Sequence, residues 1–102
     1  MSIVLTSLIL TQKAEQDLDD AFQWYERQDP GLGKEFIRCL DARIAALNRH
    51  PLHYPIIQNE HVRRAILNRF PFSIYFINEE ALITIFAILH QRRNPDFWKS
   101  RL

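Results

Sequence analysis

The spacing of apolar side chains changes near residue 60, and that change limits the fold of this 102-residue chain more than any other feature. Before it, apolar residues recur with the period of an α-helix; after it they alternate or run continuously, as strands do. From Gln12 to Gln28 they fall at Ala14, Leu18, Ala21, Phe22 and Tyr25, one stripe of a helix, with Asp17, Asp19, Asp20 and Glu26 assigned to the solvated side. Thr11 stands where a hydroxyl can cap the first turn. Asp29-Pro30-Gly31-Leu32-Gly33 interrupts the pattern. A second helix is predicted from Leu32 to Asn48 on Phe36, Ile37, Leu40, Ile44 and Leu47, closed by His50-Pro51. So short a break predicts an antiparallel helical hairpin.

Strands account for the rest. Residues 3–10, IVLTSLIL, predict a first strand, and Pro51–Pro55 a loop. Val62–Leu67, Phe72–Ile77 and Leu82–Leu89 predict three more, joined as hairpins through Asn68-Arg69 and Asn78-Glu79-Glu80. Asn94-Pro95 ends the last strand, and Asp96–Lys99 suits a terminal helical turn. The expected order is β-α-α-β-β-β: a single α+β domain over 1–102, with the helical hairpin packed on a mainly antiparallel sheet.

A hydrophobic content of 47% and an aromatic content of 12% exclude a disordered chain. The lone Cys39, between Ile37 and Leu40, is expected to pack within its helix, and without a second cysteine the chain suits a reducing cytoplasm. No apolar run reaches the roughly 20 residues of a membrane span. The opening MSIVLTSLIL lacks the basic flank and cleavage site of a secretory signal, so no membrane association and a cytoplasmic location are expected. Residues 1–60 carry six basic against nine acidic side chains, a balance of −3, whereas residues 61–102 carry seven against three, a balance of +4. The second half therefore offers a basic face to an anionic partner, or holds ordinary surface charge.

The histidines, His50, His53, His61 and His90, lack metal-site spacing; His50 and His53 straddle Pro51, so no helix presents them together. No glycine-rich phosphate loop or nucleophile elbow occurs, and neither metal nor cofactor is expected. Three features remain. Arg63 and Arg64 are adjacent in one strand and must point to opposite faces; an ion pair with a helix carboxylate and a ligand contact both fit. His90 with Arg92 and Arg93 at the end of the last strand could grip phosphate or perform acid–base work on RNA, or simply be a charged end in water. Phe97 and Trp98 could cap the core or form an exposed anchor.

The order of elements, with Ala14, Asp17 and Leu18 leading to Tyr25, Val62-Arg63-Arg64, Arg69-Phe70-Pro71-Phe72 with Ile74-Tyr75, and Ile88-Leu89-His90 followed by Arg92, Arg93, Pro95 and Trp98, resembles the ParE branch of the RelE/ParE toxin superfamily, the plasmid stabilisation toxins. That resemblance implies an antitoxin partner, whose DNA-binding part carries a flexible tail that orders on the toxin's apolar surface. Trp24, with Phe22 and Tyr25, is the candidate antitoxin contact, with packing of Trp24 against the second helix as the alternative. It also implies one of two targets. ParE-like members poison DNA gyrase by binding, which here would use Arg92, Arg93, Trp98 and Arg64. RelE-like members cleave messenger RNA on the ribosome, which would use His90 as acid or base with Arg92, Arg64 and Arg69 around the phosphate. No tyrosine follows His90 and no lysine or arginine lies in 51–62, so the binding mode is expected over an enzyme. A non-toxic interaction module is the remaining alternative, and the assembly would be a homodimer or a toxin–antitoxin hetero-oligomer.

Overall fold

The computed structural model describes residues 7–102. Strand β1 (Ser7–Leu10) leads into helix α1 (Gln12–Gln28), and helix α2 (Leu32–Arg49) returns antiparallel to it. After one 3₁₀ turn at Pro51–His53 come β2 (Ile56–Gln58), β3 (Val62–Ile66), β4 (Phe72–Glu79) and β5 (Leu82–His90), then a last helical turn, α3 (Asp96–Lys99). The sheet order is β1-β5-β4-β3-β2, antiparallel throughout except that β1 runs parallel to β5. The predicted α+β architecture is what the chain adopts. Residues 3–6 of the first predicted strand lie outside the described residues.

The hairpin turns where the sequence broke. Gly31 takes φ 92°, the left-handed region that suits glycine. Gly33 lets the helices approach closely: a Cβ there would stand 2.8 Å from the Phe22 carbonyl oxygen. The Thr11 hydroxyl accepts the Ala14 N–H at 3.1 Å, the expected cap of α1. The cap of α2 is unexpected. Glu26, assigned to solvent, accepts the N–H groups of Gly31 and Gly33 at 3.0 Å, placing a carboxylate on two orphan donors at the helix start.

Both faces of the sheet bury apolar side chains, but unequally. Ala14, Ala21 and Tyr25 of α1 and Phe36, Leu40 and Leu47 of α2 pack on Ala65, Ile74, Phe76, Ile83, Ile85 and Ile88. The outer face gathers Val62, Tyr75, Phe86, Ala87 and Leu89 beneath Trp98. The apolar run in β5 serves both faces through a β-bulge. Tyr75 pairs with Ala87 and Phe76 with Ile85, so Phe86 is an extra residue, and it joins Ala87 on the outer side.

Four expectations need correction. A short strand, β2, follows the predicted loop; three residues with a register shift carry no readable alternation. The link between β3 and β4 is not a tight Asn68-Arg69 turn. It spans residues 67–71 and folds Leu67 and Phe70 into the core. The β4–β5 turn is shorter than predicted, because β4 runs on to Glu79 and Glu80 turns at φ 55°. Cys39 is half-buried rather than enclosed. No helix among the described residues is long and apolar enough to cross a membrane.

Candidate functional site

The pairing of β1 with β5 ends at Leu10 and Ile85, where the Thr11 N–H donates to the Ile85 carbonyl at 2.9 Å and the chain turns away into α1. Beyond that point side chains complete the edge of β5. The Arg101 guanidinium donates to the Phe86 carbonyl at 3.1 Å, and the Asp17 carboxylate accepts the Ile88 N–H at 3.0 Å. The two side chains also pair with each other, at 2.5 and 3.0 Å, each only 11% exposed. Asp17 was assigned to the solvated side of α1, yet it lies three residues after Ala14 and four before Ala21, on the flank of the buried stripe. That spacing was the available signal; its partner, 84 positions away, left none. The pair fixes the C-terminal segment against α1 and β5.

Next to this seam is a cleft of about 460 Å³ lined by Trp24, Tyr25, Pro71, Phe72, His90 and Arg93. A smaller lobe shares Trp24, Phe72, His90 and Arg93 and continues to Asp17 and Asp20. Of the three predicted α1 contacts, Trp24 is exposed (52%), Phe22 packs on Gly33, and Tyr25 is buried among Phe36, Phe70 and Phe72. Burial pushes the Tyr25 phenol above its ordinary pKa, which keeps it a neutral O–H donor. The His90 ring meets Phe72 edge to face at 5.4 Å, and its Nδ1 accepts the Arg92 N–H at 3.0 Å. In the neutral ring the proton therefore sits on Nε2.

His90, Arg92 and Arg93 share the end of β5, as expected. Among the described residues neither arginine is in a salt bridge; Arg93 lies over the half-exposed Phe97 ring at 4.3 Å. Trp98 resolves as a core cap, 7% exposed and stacked on Tyr75 at 5.4 Å, so the exposed aromatic at this end is Phe97. Arg64 lies elsewhere. It pairs with Tyr75 on the outer face, whereas His90 pairs with Phe72, three residues away in β4 and on the helix-covered face. Arg69 is held by Glu35 of α2 at 2.7 Å. The four residues considered for RNA cleavage are thus dispersed over two faces and a loop. The Arg63–Arg64 pair finds no helix carboxylate either: Arg63 donates to the Tyr54 carbonyl at 2.6 Å. His50 and His53 do meet, contrary to expectation, because the 3₁₀ turn stacks their rings 4.7 Å apart. Among the described residues no group of three potential ligands could hold a metal.

Over residues 8–95 the chain matches the family model described as the ParE toxin of the type II toxin–antitoxin system parDE. No curated protein matches it. Among solved structures, a chain described as the chromosomal ParDE TA system from P. aeruginosa superposes with a TM-score of 0.76. It is 24% identical in sequence, and the match covers 86% of this chain and 98% of that one. That likeness speaks for the fold.

Proposed function

The chain belongs to the ParE toxin family of type II toxin–antitoxin systems, and from that premise we propose that this toxin disables DNA gyrase by binding, with its basic C-terminal end as the contact surface and an antitoxin holding it silent. One observation carries the reading. Arg92, Arg93 and Lys99 stand exposed on a segment that the Asp17–Arg101 pair holds to the body, a preset cationic surface. Such a surface recruits an acidic macromolecular partner by steering and complementarity, without any covalent step.

The ribonuclease reading keeps one point in its favour, the open Nε2 of His90 beside Arg93 in the cleft. Against it stands the dispersal of Arg64 and Arg69, which leaves Arg93 as the one cation lining the cleft beside His90, too little charge to surround a phosphate. Supercoiling and cleavage-complex assays with purified toxin separate the two. Inhibition is expected at near-stoichiometric toxin, and reversing the charge of both Arg92 and Arg93 to Glu should abolish it. Gyrase indifferent to a stoichiometric excess, or toxicity that vanishes in His90→Ala together with ribosome-dependent messenger cleavage, would overturn the gyrase reading.

A further inference from the structure

We propose that the cleft between α1 and the end of β5 is a carboxylate-selective pocket for the antitoxin's tail: an apolar side chain seats between Trp24 and Phe72, and a neighbouring Asp or Glu is taken by Arg93 and His90. The proposal rests on the reading that an antitoxin restrains this toxin, and adds where and by what chemistry.

The cleft's main lobe is lined by hydrogen-bond donors and by no carboxylate. Arg93 brings a guanidinium, His90 a ring N–H on Nε2, and Tyr25 a phenol with no hydrogen-bond partner among the described residues. Donors converging from α1 and from the end of β5, with no carboxylate among the side chains lining that lobe, select an anion. Trp24, Phe72 and Pro71 provide the apolar wall, and the half-exposed Trp24 is the kind of aromatic anchor that dominates interfaces. Acceptors occur only at the far rim. Asp17 is consumed by Arg101 and the Ile88 N–H, and Asp20 is exposed and accepts from Gln16 at 2.8 Å. This polarity orients the occupant, with its carboxylate at the Arg93 end and any cationic residue at the Asp20 end. It also favours a peptide over a nucleic-acid strand, whose phosphates would run past the exposed Asp20.

Trp24 reports on its own pocket, because the second tryptophan, Trp98, is buried. Synthetic peptides spanning the antitoxin's tail, titrated into the toxin, should shift Trp24 emission. Versions with Asn and Gln in place of Asp and Glu should bind about 10- to 100-fold more weakly. Arg93→Gln should impose a similar loss on the acidic peptide and none on the amide version, while Arg38→Gln, an equal loss of charge on α2, leaves both unchanged. Trp24→Ala, which lacks the reporter and is titrated by calorimetry instead, should weaken both peptides, with Trp98 emission and far-ultraviolet circular dichroism confirming the fold. Full-length antitoxin that binds the Arg93→Gln and Trp24→Ala toxins as tightly as the parent would overturn the pocket while leaving the partnership standing. Antitoxin that binds no toxin at all would remove the premise itself. Equal affinity for acid and amide peptides would overturn the carboxylate assignment, and so would Trp24 emission that responds to an oligothymidine and to no peptide.

Discussion

One sheet, two faces, and two ways of closing them: the helix-covered face is sealed by paired helices, the outer face by one turn at the end of the chain. Beneath the helices, Phe36 is fully buried and meets Tyr25, Phe70 and Phe72 at centroid distances of 5.2 to 5.4 Å. Across the sheet, Trp98 stacks on Tyr75 and helps bury it with Phe86, while Ile9, Ile66 and Phe97 remain about half exposed. The covered face gives stability. The outer face and the seam beside it stay available to partners, and the seam holds the basic end in position.

The difference can be broken first where it is largest. Phe36→Ala removes a ring from the centre of an aromatic cluster that cannot collapse around the void, and should cost about 4 kcal/mol in denaturant unfolding. A loss below about 2 kcal/mol would mean that the covered face is not the main source of stability. The seam ranks next. Asp17→Ala leaves the Arg101 guanidinium without its counter-charge and the Ile88 N–H without its acceptor in a site 11% exposed, and should cost about 3 kcal/mol. Asp17→Asn keeps an oxygen for the Ile88 N–H and should lose less. The Arg69–Glu35 pair is the exposed counterpart at 57% and 41%, so Glu35→Gln should change stability by about 0.5 kcal/mol or less. Equal losses from Asp17→Ala and Glu35→Gln would deny the seam its role.

What the sequence disclosed follows from how far each signal reaches. The helices were legible because Ala14 to Tyr25 and Phe36 to Leu47 repeat within a few residues of each other, and Gly31 and Gly33 mark the turn directly. The bulge at Phe86 was hidden, since an unbroken apolar run looks the same whichever face each residue takes. Glu26 reads as surface charge until the hairpin brings Gly31 and Gly33 to it. The site was legible in parts: His90, Arg92 and Arg93 as the end of a strand, Trp24 as an aromatic off the stripe. Their convergence was not, because the cleft is assembled from α1, the 67–71 link and the end of β5. Nothing local separates Arg101, which is structural, from Arg92 and Arg93, which are exposed; only the register of β5 against α1 does.

The outer face should give the smallest loss of the three apolar and seam positions, and the most informative one. Trp98 loses its stack on Tyr75 in Trp98→Ala, but it lies beside solvent, where the vacated space fills with water or shifting side chains, so about 2 kcal/mol is expected. Three residues on, Arg101 is held by Asp17, so the C-terminal turn has two attachments of different chemistry. If each holds by itself, the loss in the double variant Trp98→Ala, Asp17→Ala equals the sum of the single losses. If α3 docks as one unit, either single change already frees it, and the double variant loses less than the sum by about 1 kcal/mol or more. The second outcome is expected, because Trp98 and Arg101 lie within one turn of each other and neither contact can form without the other's backbone in place. Strict additivity would instead make the C-terminal end two separate contacts, and would remove the basis for treating Arg92, Arg93 and Lys99 as a preset surface.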